Sequence, residues 1–270
     1  MANRWFLERY RTFLLDIDGV LVRGPVPIDG AAAALKALRE RGRCAFLTNN
    51  SSRSRRGLVA RLASLGVQAD ERDVVPSSYI AATHLAAQGS VSFWLIGEDG
   101  LDEELRLAGH RRCERPEQAE WVVVGIDRAI DYAAIADALR ALRAGARLLA
   151  TNHDPTFPGP DGPLPGAGAL VGALEGMGFP AEVIVGKPSP IAFRVALDRL
   201  GVDPSSALMI GDRLETDILG ATDAGLDSAL VLTGVTSRED LARSAIRPTW
   251  IAETLDALAA GRVERGDGAH

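Results

Sequence analysis

Cysteine and histidine are few and scattered in this chain of 270 residues. Cys44 and Cys113 show neither a pairing pattern nor metal-ligand spacing, which argues against a disulfide scaffold and a thiolate metal centre. Both read as core residues in a reducing compartment. His84, His110, His153 and His270 lie far apart, against a zinc site or a serine triad. No apolar run is long enough to span a bilayer, so no membrane partner is expected. Met1 to Arg11 carries Arg4, Glu8, Arg9 and Arg11 among its aromatics and lacks the continuous apolar segment of a secretory signal, leaving the cytoplasm as the expected location. Basic excess is also missing. A formal charge of -6 argues against a surface that tracks a phosphate backbone, so nucleic acid polymer is not an expected partner, while a small phosphorylated molecule stays open. There is no internal repeat.

What the chain does have is a short apolar run that ends in acid: Phe13-Leu14-Leu15-Asp16-Ile17-Asp18-Gly19-Val20-Leu21-Val22. The run reads as a buried strand. If its pleat continues, Asp16 and Asp18 project to one side and Ile17 into the core; the ordinary alternative is an Asp-Gly turn closing the strand. Two carboxylates in a small volume repel each other, and a nearby cation is the usual remedy.

Strand and helix signals then alternate. A helical pattern over Gly30 to Gly42 leads to a buried strand, Cys44 to Leu47, which ends in Thr48-Asn49-Asn50-Ser51-Ser52 before a basic helix, Arg53 to Leu65. The rhythm implies a parallel sheet, and ligands of such sheets gather at the carboxyl ends of the strands. The middle has its own alternation, with strands expected at Val91 to Ile96, Trp121 to Ile126 and Arg147 to Thr151, and helices at Asp99 to Ala108, Asp131 to Ala144 and Ala169 to Met177. Between them runs a segment dense in Pro and Gly, Thr151 to Ala169, which reads as a shaped loop.

Beyond Gly178 the first rhythm resumes. Val183 to Val185 ends in Gly186-Lys187-Pro188, with Ser189-Pro190 as a helix start. Ala207 to Ile210 ends in Gly211-Asp212, with Asp217 opening the next helix. Ala229 to Leu232 is a further strand, helices follow to Ala260, and the tail from Arg262 is expected to fray. Two halves of one core separated by an insertion fit this order: residues 1–82 and 183–270 as core, 83–182 as an inserted α/β domain.

Three strand ends thus deliver Asp16, Asp18 and Asp212, with Asp217 close behind. Hard oxygen donors without histidine or cysteine suit Mg²⁺. The Thr48 hydroxyl, the backbone N–H groups of Asn49 and Asn50, and Lys187 form the opposite preference, an anion cradle. A cation site with an anion site describes phosphoryl transfer. Singly, each has an ordinary use: Thr48-Asn49 as a helix cap, Lys187 as a surface lysine, Gly211-Asp212 as a turn, Asp217 as a first-turn acid. Together, in this order, they carry more weight than any one.

The four groups Asp16-Ile17-Asp18-Gly19, Thr48-Asn49-Asn50, Gly186-Lys187-Pro188 and Gly211-Asp212 with Asp217 resemble the motifs of the haloacid dehalogenase superfamily of phosphatases. Their spacing, with the insertion between the second and third, is similar to the type IIA subfamily of 4-nitrophenyl, phosphoglycolate and nucleotide phosphatases. The resemblance implies a Rossmann-like parallel-sheet α/β core with an α/β cap domain. It also implies that Asp16 attacks phosphorus and becomes a phosphoaspartate, and that Asp18 is the acid and base. Mg²⁺ would be held by the Asp16 side chain, the Asp18 carbonyl and Asp212, with Asp217 in or near its coordination sphere. Thr48, Asn49, Asn50 and Lys187 would hold phosphoryl oxygens.

The loop from Asn152 to Gly168 is expected to face substrate, with Asn152, His153 and Asp154 as the residues to test. The expected substrate is a small phosphorylated metabolite. Pairing of the cap's sheet across a two-fold axis would give a homodimer or higher homo-oligomer, which the sequence leaves open. A hydrolytic dehalogenase shares the nucleophile but has no need of Asp18 or Asp212. A fold relative that binds without turnover would have no need to fill every catalytic position, as this chain does.

Overall fold

The computed structural model describes residues 4–159 and 162–266. Residues 1–3, 160–161 and 267–270 lie outside it, and with them the start of the segment expected to lack a signal, the tip of the 152–168 loop and the end of the tail. Among the described residues no helix is long and apolar enough to cross a membrane. The chain divides into two compact units. One comprises Met1–Thr48, Arg61–Val74 and Ala196–His270, the other Asn49–Ala60 and Val75–Val195.

The first unit is built on a sheet of seven strands in the order Glu264–Arg265, Trp250–Ala252, Asp227–Val231, Ala207–Gly211, Thr12–Leu15, Arg43–Thr48, Val74–Pro76. Thr12–Leu15 pairs in parallel with Ala207–Gly211 on one side and Arg43–Thr48 on the other, with Leu15 opposite Ile210 and Phe46. Its residues Phe13, Leu14 and Leu15 are fully buried, as are Leu208, Met209 and Ile210 beside them. Burial of each such side chain contributes about 1.5–3 kcal/mol, which makes this strand pair the anchor of whatever its ends carry.

Three sequence readings change here. The first strand stops at Leu15: Gly19 N–H donates to the Val22 carbonyl at 2.7 Å and Leu21 N–H to the Ile17 carbonyl at 2.9 Å, so the backbone from Ile17 on closes a turn instead of extending the pleat. The region after Leu232 is not purely helical. Trp250–Ala252 is a buried parallel strand, with Arg238–Arg243 and Leu255–Ala259 as the helices around it. Lastly, Glu264–Arg265 does not fray but adds an antiparallel edge to Trp250–Ala252, its main chain satisfied although its side chains are exposed.

The second unit holds a parallel sheet of five strands, Val183–Ile184, Arg147–Ala150, Trp121–Val124, Ser92–Ile96, Arg111–Arg112. Trp121–Val124 is buried throughout, as a central parallel strand covered on both faces must be. Helix Tyr132–Arg143 turns Ala138, Ala141 and Leu142 toward the core, and its start is capped by Asp131, which accepts the Ala134 N–H at 2.8 Å. The Pro- and Gly-rich loop is an antiparallel hairpin, Thr156–Gly159 with Gly162–Pro165, leading into helix Ala167–Glu175.

Segment Asn49–Ala60 belongs to this second unit for identifiable reasons. Glu104, 1% exposed, accepts both the main-chain N–H and the guanidinium of Arg55, at 2.6 and 3.0 Å. The Ser78 hydroxyl donates to the Arg53 carbonyl at 2.7 Å, and the Ile126 N–H donates to Ser51 Oγ at 3.0 Å. Gly100 lets the two segments touch, because a Cβ there would lie 2.2 Å from the Arg53 carbonyl carbon.

Candidate active site

In the first unit the carboxyl ends of the two central strands carry acid. Asp16 follows Leu15 directly, and its N–H donates to the Ile210 carbonyl at 2.8 Å, which ties it to the end of the neighbouring strand. Asp212 follows Gly211 at that same end. Asp217 comes from the wide π turn Leu214–Ile218, and its Oδ2 accepts the N–H groups of Asp212 and Arg213 at 3.2 and 3.1 Å. Carboxylate oxygens of Asp16, Asp212 and Asp217 all lie within 4.8 Å of one another, and all three residues are buried.

Three glycines make room for them. Gly19, at φ 87°, occupies a left-handed conformation that costs other residues energy, and a Cβ there would sit 2.4 Å from Asp212 Oδ2. Side chains at Gly211 and Gly234 would fall 2.3 Å from Asp217 and 1.9 Å from Asp212. The Asp-Gly and Gly-Asp pairs of the sequence are thus spatial requirements of the acids. Val235 N–H donates to Asp212 Oδ2 at 2.7 Å, which fixes one oxygen of that carboxylate.

Buried like charges at such separations repel strongly unless a cation compensates. Three hard oxygen donors, with no thiolate or imidazole in the group, fit a divalent cation of the Mg²⁺ or Ca²⁺ type. Asp18 stands apart from this trio. Its carboxylate keeps 38% of its surface exposed and lies 3.5 Å from the Arg61 guanidinium, which also donates to the Gly24 carbonyl at 3.2 Å. Two carboxylates two positions apart in the sequence therefore occupy different surroundings. Thr48, 3% exposed, is the last residue of its strand.

The remaining expected residues belong to the second unit, where Asn49 is the centre. Its Oδ1 accepts the Lys187 N–H at 2.8 Å, and its Nδ2 donates to the Lys187 carbonyl and to Asp154 Oδ2, both at 3.0 Å. Its carbonyl accepts from the Ser77 hydroxyl at 2.7 Å and from Asn152 Nδ2 at 2.8 Å. Asn50 turns its Oδ1 back on the N–H and hydroxyl of Ser52, at 3.0 and 2.8 Å. Lys187 is 3% exposed. His153 differs from its neighbours: it is exposed and meets Glu175 at 3.1 Å, a contact that holds the Glu175 carboxyl below its usual range.

Sequence reasoning did not single out Arg61, Ser77 or Glu104. Arg61 and Glu104 sit among many other charges in helical stretches, where spacing alone does not mark them. Ser77 follows Val-Val-Pro, a strand-to-helix junction whose small polar residue could have been read as a contact point.

Acids converging at the ends of adjacent parallel strands define an α/β enzyme working at its sheet edge. Two family models match this chain, a haloacid dehalogenase-like hydrolase model over residues 13–111 and a second model of the same family over 184–258. It is 37% identical to a 5'-nucleotidase, YutF, of Bacillus subtilis, over 92% of this chain and 97% of the relative. A p-nitrophenyl phosphatase from Archaeoglobus fulgidus superposes with a TM-score of 0.87 at 38% identity, covering 93% of this chain and 98% of that one. A glycerol phosphate phosphatase from Mycobacterium tuberculosis, solved in complex with magnesium, does so with the same TM-score and identity, covering 93% and 77%. The chain belongs to the haloacid dehalogenase-like hydrolase family, among its type IIA phosphatases.

Proposed function

We propose that the chain hydrolyses phosphate monoesters of small cytoplasmic metabolites, with Mg²⁺ as cofactor and a phosphoaspartate on Asp16 as intermediate. The observation that carries this reading is the convergence of Asp16, Asp212 and Asp217 on a space one cation would fill. Relatives named for p-nitrophenyl phosphate, glycerol phosphate and 5'-nucleotides support a small phosphorylated substrate.

An Asp16 oxygen attacks phosphorus in line, and the bond to the ester oxygen breaks as Asp18 gives that oxygen its proton. Asp18, now a carboxylate, takes a proton from a water molecule whose oxygen attacks the same phosphorus. The bond to Asp16 breaks, inorganic phosphate leaves and both side chains are restored. Thr48, the backbone N–H groups of Asn49 and Asn50, and the Lys187 ammonium hold the phosphoryl oxygens. Held by Asp16, the Asp18 carbonyl, Asp212 and Asp217, Mg²⁺ would offset the carboxylate charge and that of the phosphoryl group. The separate surroundings of Asp16 and Asp18 favour separate roles. Residues 83–182 are proposed as the cap that selects the leaving group, with 1–82 and 183–270 as core.

The test is phosphate release from 4-nitrophenyl phosphate, glycerol phosphate, a sugar phosphate and a nucleoside monophosphate, with and without Mg²⁺, for wild type and Asp16→Asn. A large loss of turnover without Mg²⁺ and a larger one in Asp16→Asn are expected. Turnover undiminished by removing Mg²⁺ or by Asp16→Asn would overturn the mechanism.

A further inference from the structure

The Asn49 side chain makes three hydrogen bonds, and its carbonyl accepts two more. The carboxamide forms a two-way pair with the main chain of one residue, accepting the Lys187 N–H and donating to the Lys187 carbonyl, as one peptide unit pairs with another in a sheet. Its second amide hydrogen goes to Asp154. An amide offers two donor hydrogens and one oxygen, so both hydrogens are in use and the oxygen holds an N–H.

The neighbours are arranged to keep this pairing. Asn152 Nδ2 and the Ser77 hydroxyl both grip the Asn49 carbonyl, and Asn152 Oδ1 accepts the Asp154 N–H at 3.1 Å, bending the loop so that the Asp154 carboxylate meets Asn49. At Gly186 a Cβ would stand 2.7 Å from Asn49 Oδ1 and 2.3 Å from the Thr151 carbonyl oxygen. The glycine before Lys187 is therefore the space that admits the Asn49 side chain. Residues 105 and 138 positions away in the chain meet at one carboxamide.

The geometry points to Asn49 as a positioning residue for Lys187. Its side chain fixes the main chain from which the lysine projects, and Asp154, with Asn152, orients Asn49 instead of selecting substrate. The inference rests on the reading of Lys187 as the cation that holds the transferring phosphoryl group. A lysine side chain has many rotamers, and anchoring its Cα limits where the ammonium can go; a misplacement of about 1 Å at a reacting centre costs roughly 10²-fold in rate.

The experiment measures kcat, KM for 4-nitrophenyl phosphate and inhibition by inorganic phosphate, with melting temperature as the control for folding. Asn49→Ala should lower kcat/KM by about 10²-fold and weaken inhibition by phosphate about tenfold. Gly186→Ala should repeat that pattern by pushing the carboxamide away. Asn49→Asp keeps the acceptor for the Lys187 N–H but sets carboxylate oxygens against both the Lys187 carbonyl and Asp154, and should lose at least as much as Asn49→Ala.

Asn49→Ala with wild-type phosphate inhibition, or Gly186→Ala without the loss seen in Asn49→Ala, would overturn the positioning role. Lys187→Ala separates the two layers. If it abolishes turnover while Asn49→Ala keeps wild-type kcat/KM and phosphate inhibition, the inference fails and the reading of the lysine stands; if Lys187→Ala is itself active, the reading fails first.

Discussion

The two units solve opposite problems at their loop ends. In the first, three buried carboxylates face one another, with glycines clearing the space around them. In the second, a neutral carboxamide joins the Lys187 main chain, Asp154 and its own strand-end loop, and donors meet acceptors throughout. One arrangement is a set of hard oxygen donors that a divalent cation fits; the other is a hydrogen-bonded network among side chain and main chain. Desolvation of the three acids is a cost that burial of Phe13, Leu14, Leu15 and their neighbours helps to offset.

The largest effect that would sharpen this contrast is loss of the proposed nucleophile. Asp16→Asn should reduce turnover of 4-nitrophenyl phosphate on the order of 10⁴-fold or more, and near wild-type turnover would remove Asp16 as the nucleophile. Next comes chelation: stripping divalent ions should lower activity about 10²- to 10³-fold, restored by Mg²⁺, as expected for several kcal/mol of charge stabilisation. Hydrogen exchange in the same samples should change in segments around residues 16, 212 and 217 and stay level around 49 and 154. A uniform response would break the comparison.

Gly234→Ala should cost about 1–3 kcal/mol, read as a lowered melting temperature, since its Cβ would lie 1.9 Å from Asp212 Oδ2. The smallest effect is expected at His153, whose contact with Glu175 is half exposed and worth no more than roughly 0.5 kcal/mol. His153→Ala should keep the melting temperature within a degree or so of wild type, by that same estimate. The two thiols give a further readout, one per unit. Burial pushes the Cys44 thiol up to about 12, so it stays protonated across neutral and mildly alkaline pH and should resist alkylation until the first unit opens.

Much of the first unit's chemistry could be read from the chain, because each acid sits where a short apolar run stops. Asp16 and Asp212 follow their strands directly, and the glycines beside them mark the crowding. Less visible was the turn that separates Asp18 from the trio, since alternation in a strand gives no warning of where pairing ends. Trp250–Ala252 escaped because three residues between two helices carry too little periodicity, and Glu264–Arg265 because its stability is main-chain pairing with exposed side chains. The Asn49 cluster could not be read at all as a cluster. Asn49 lies 103, 105 and 138 positions from Asn152, Asp154 and Lys187, and an asparagine after a strand has the same letter whether it holds a phosphate or a lysine's backbone.

The most direct measurement is a Mg²⁺ titration followed by thermal unfolding, comparing wild type with Asp212→Asn. The wild type should gain stability with each increment, approaching about 2.7 kcal/mol at a hundredfold excess over the dissociation constant, and Asp212→Asn should gain little. A wild-type curve that does not move with Mg²⁺, or a variant that gains as much, would contradict a cation site made by Asp16, Asp212 and Asp217.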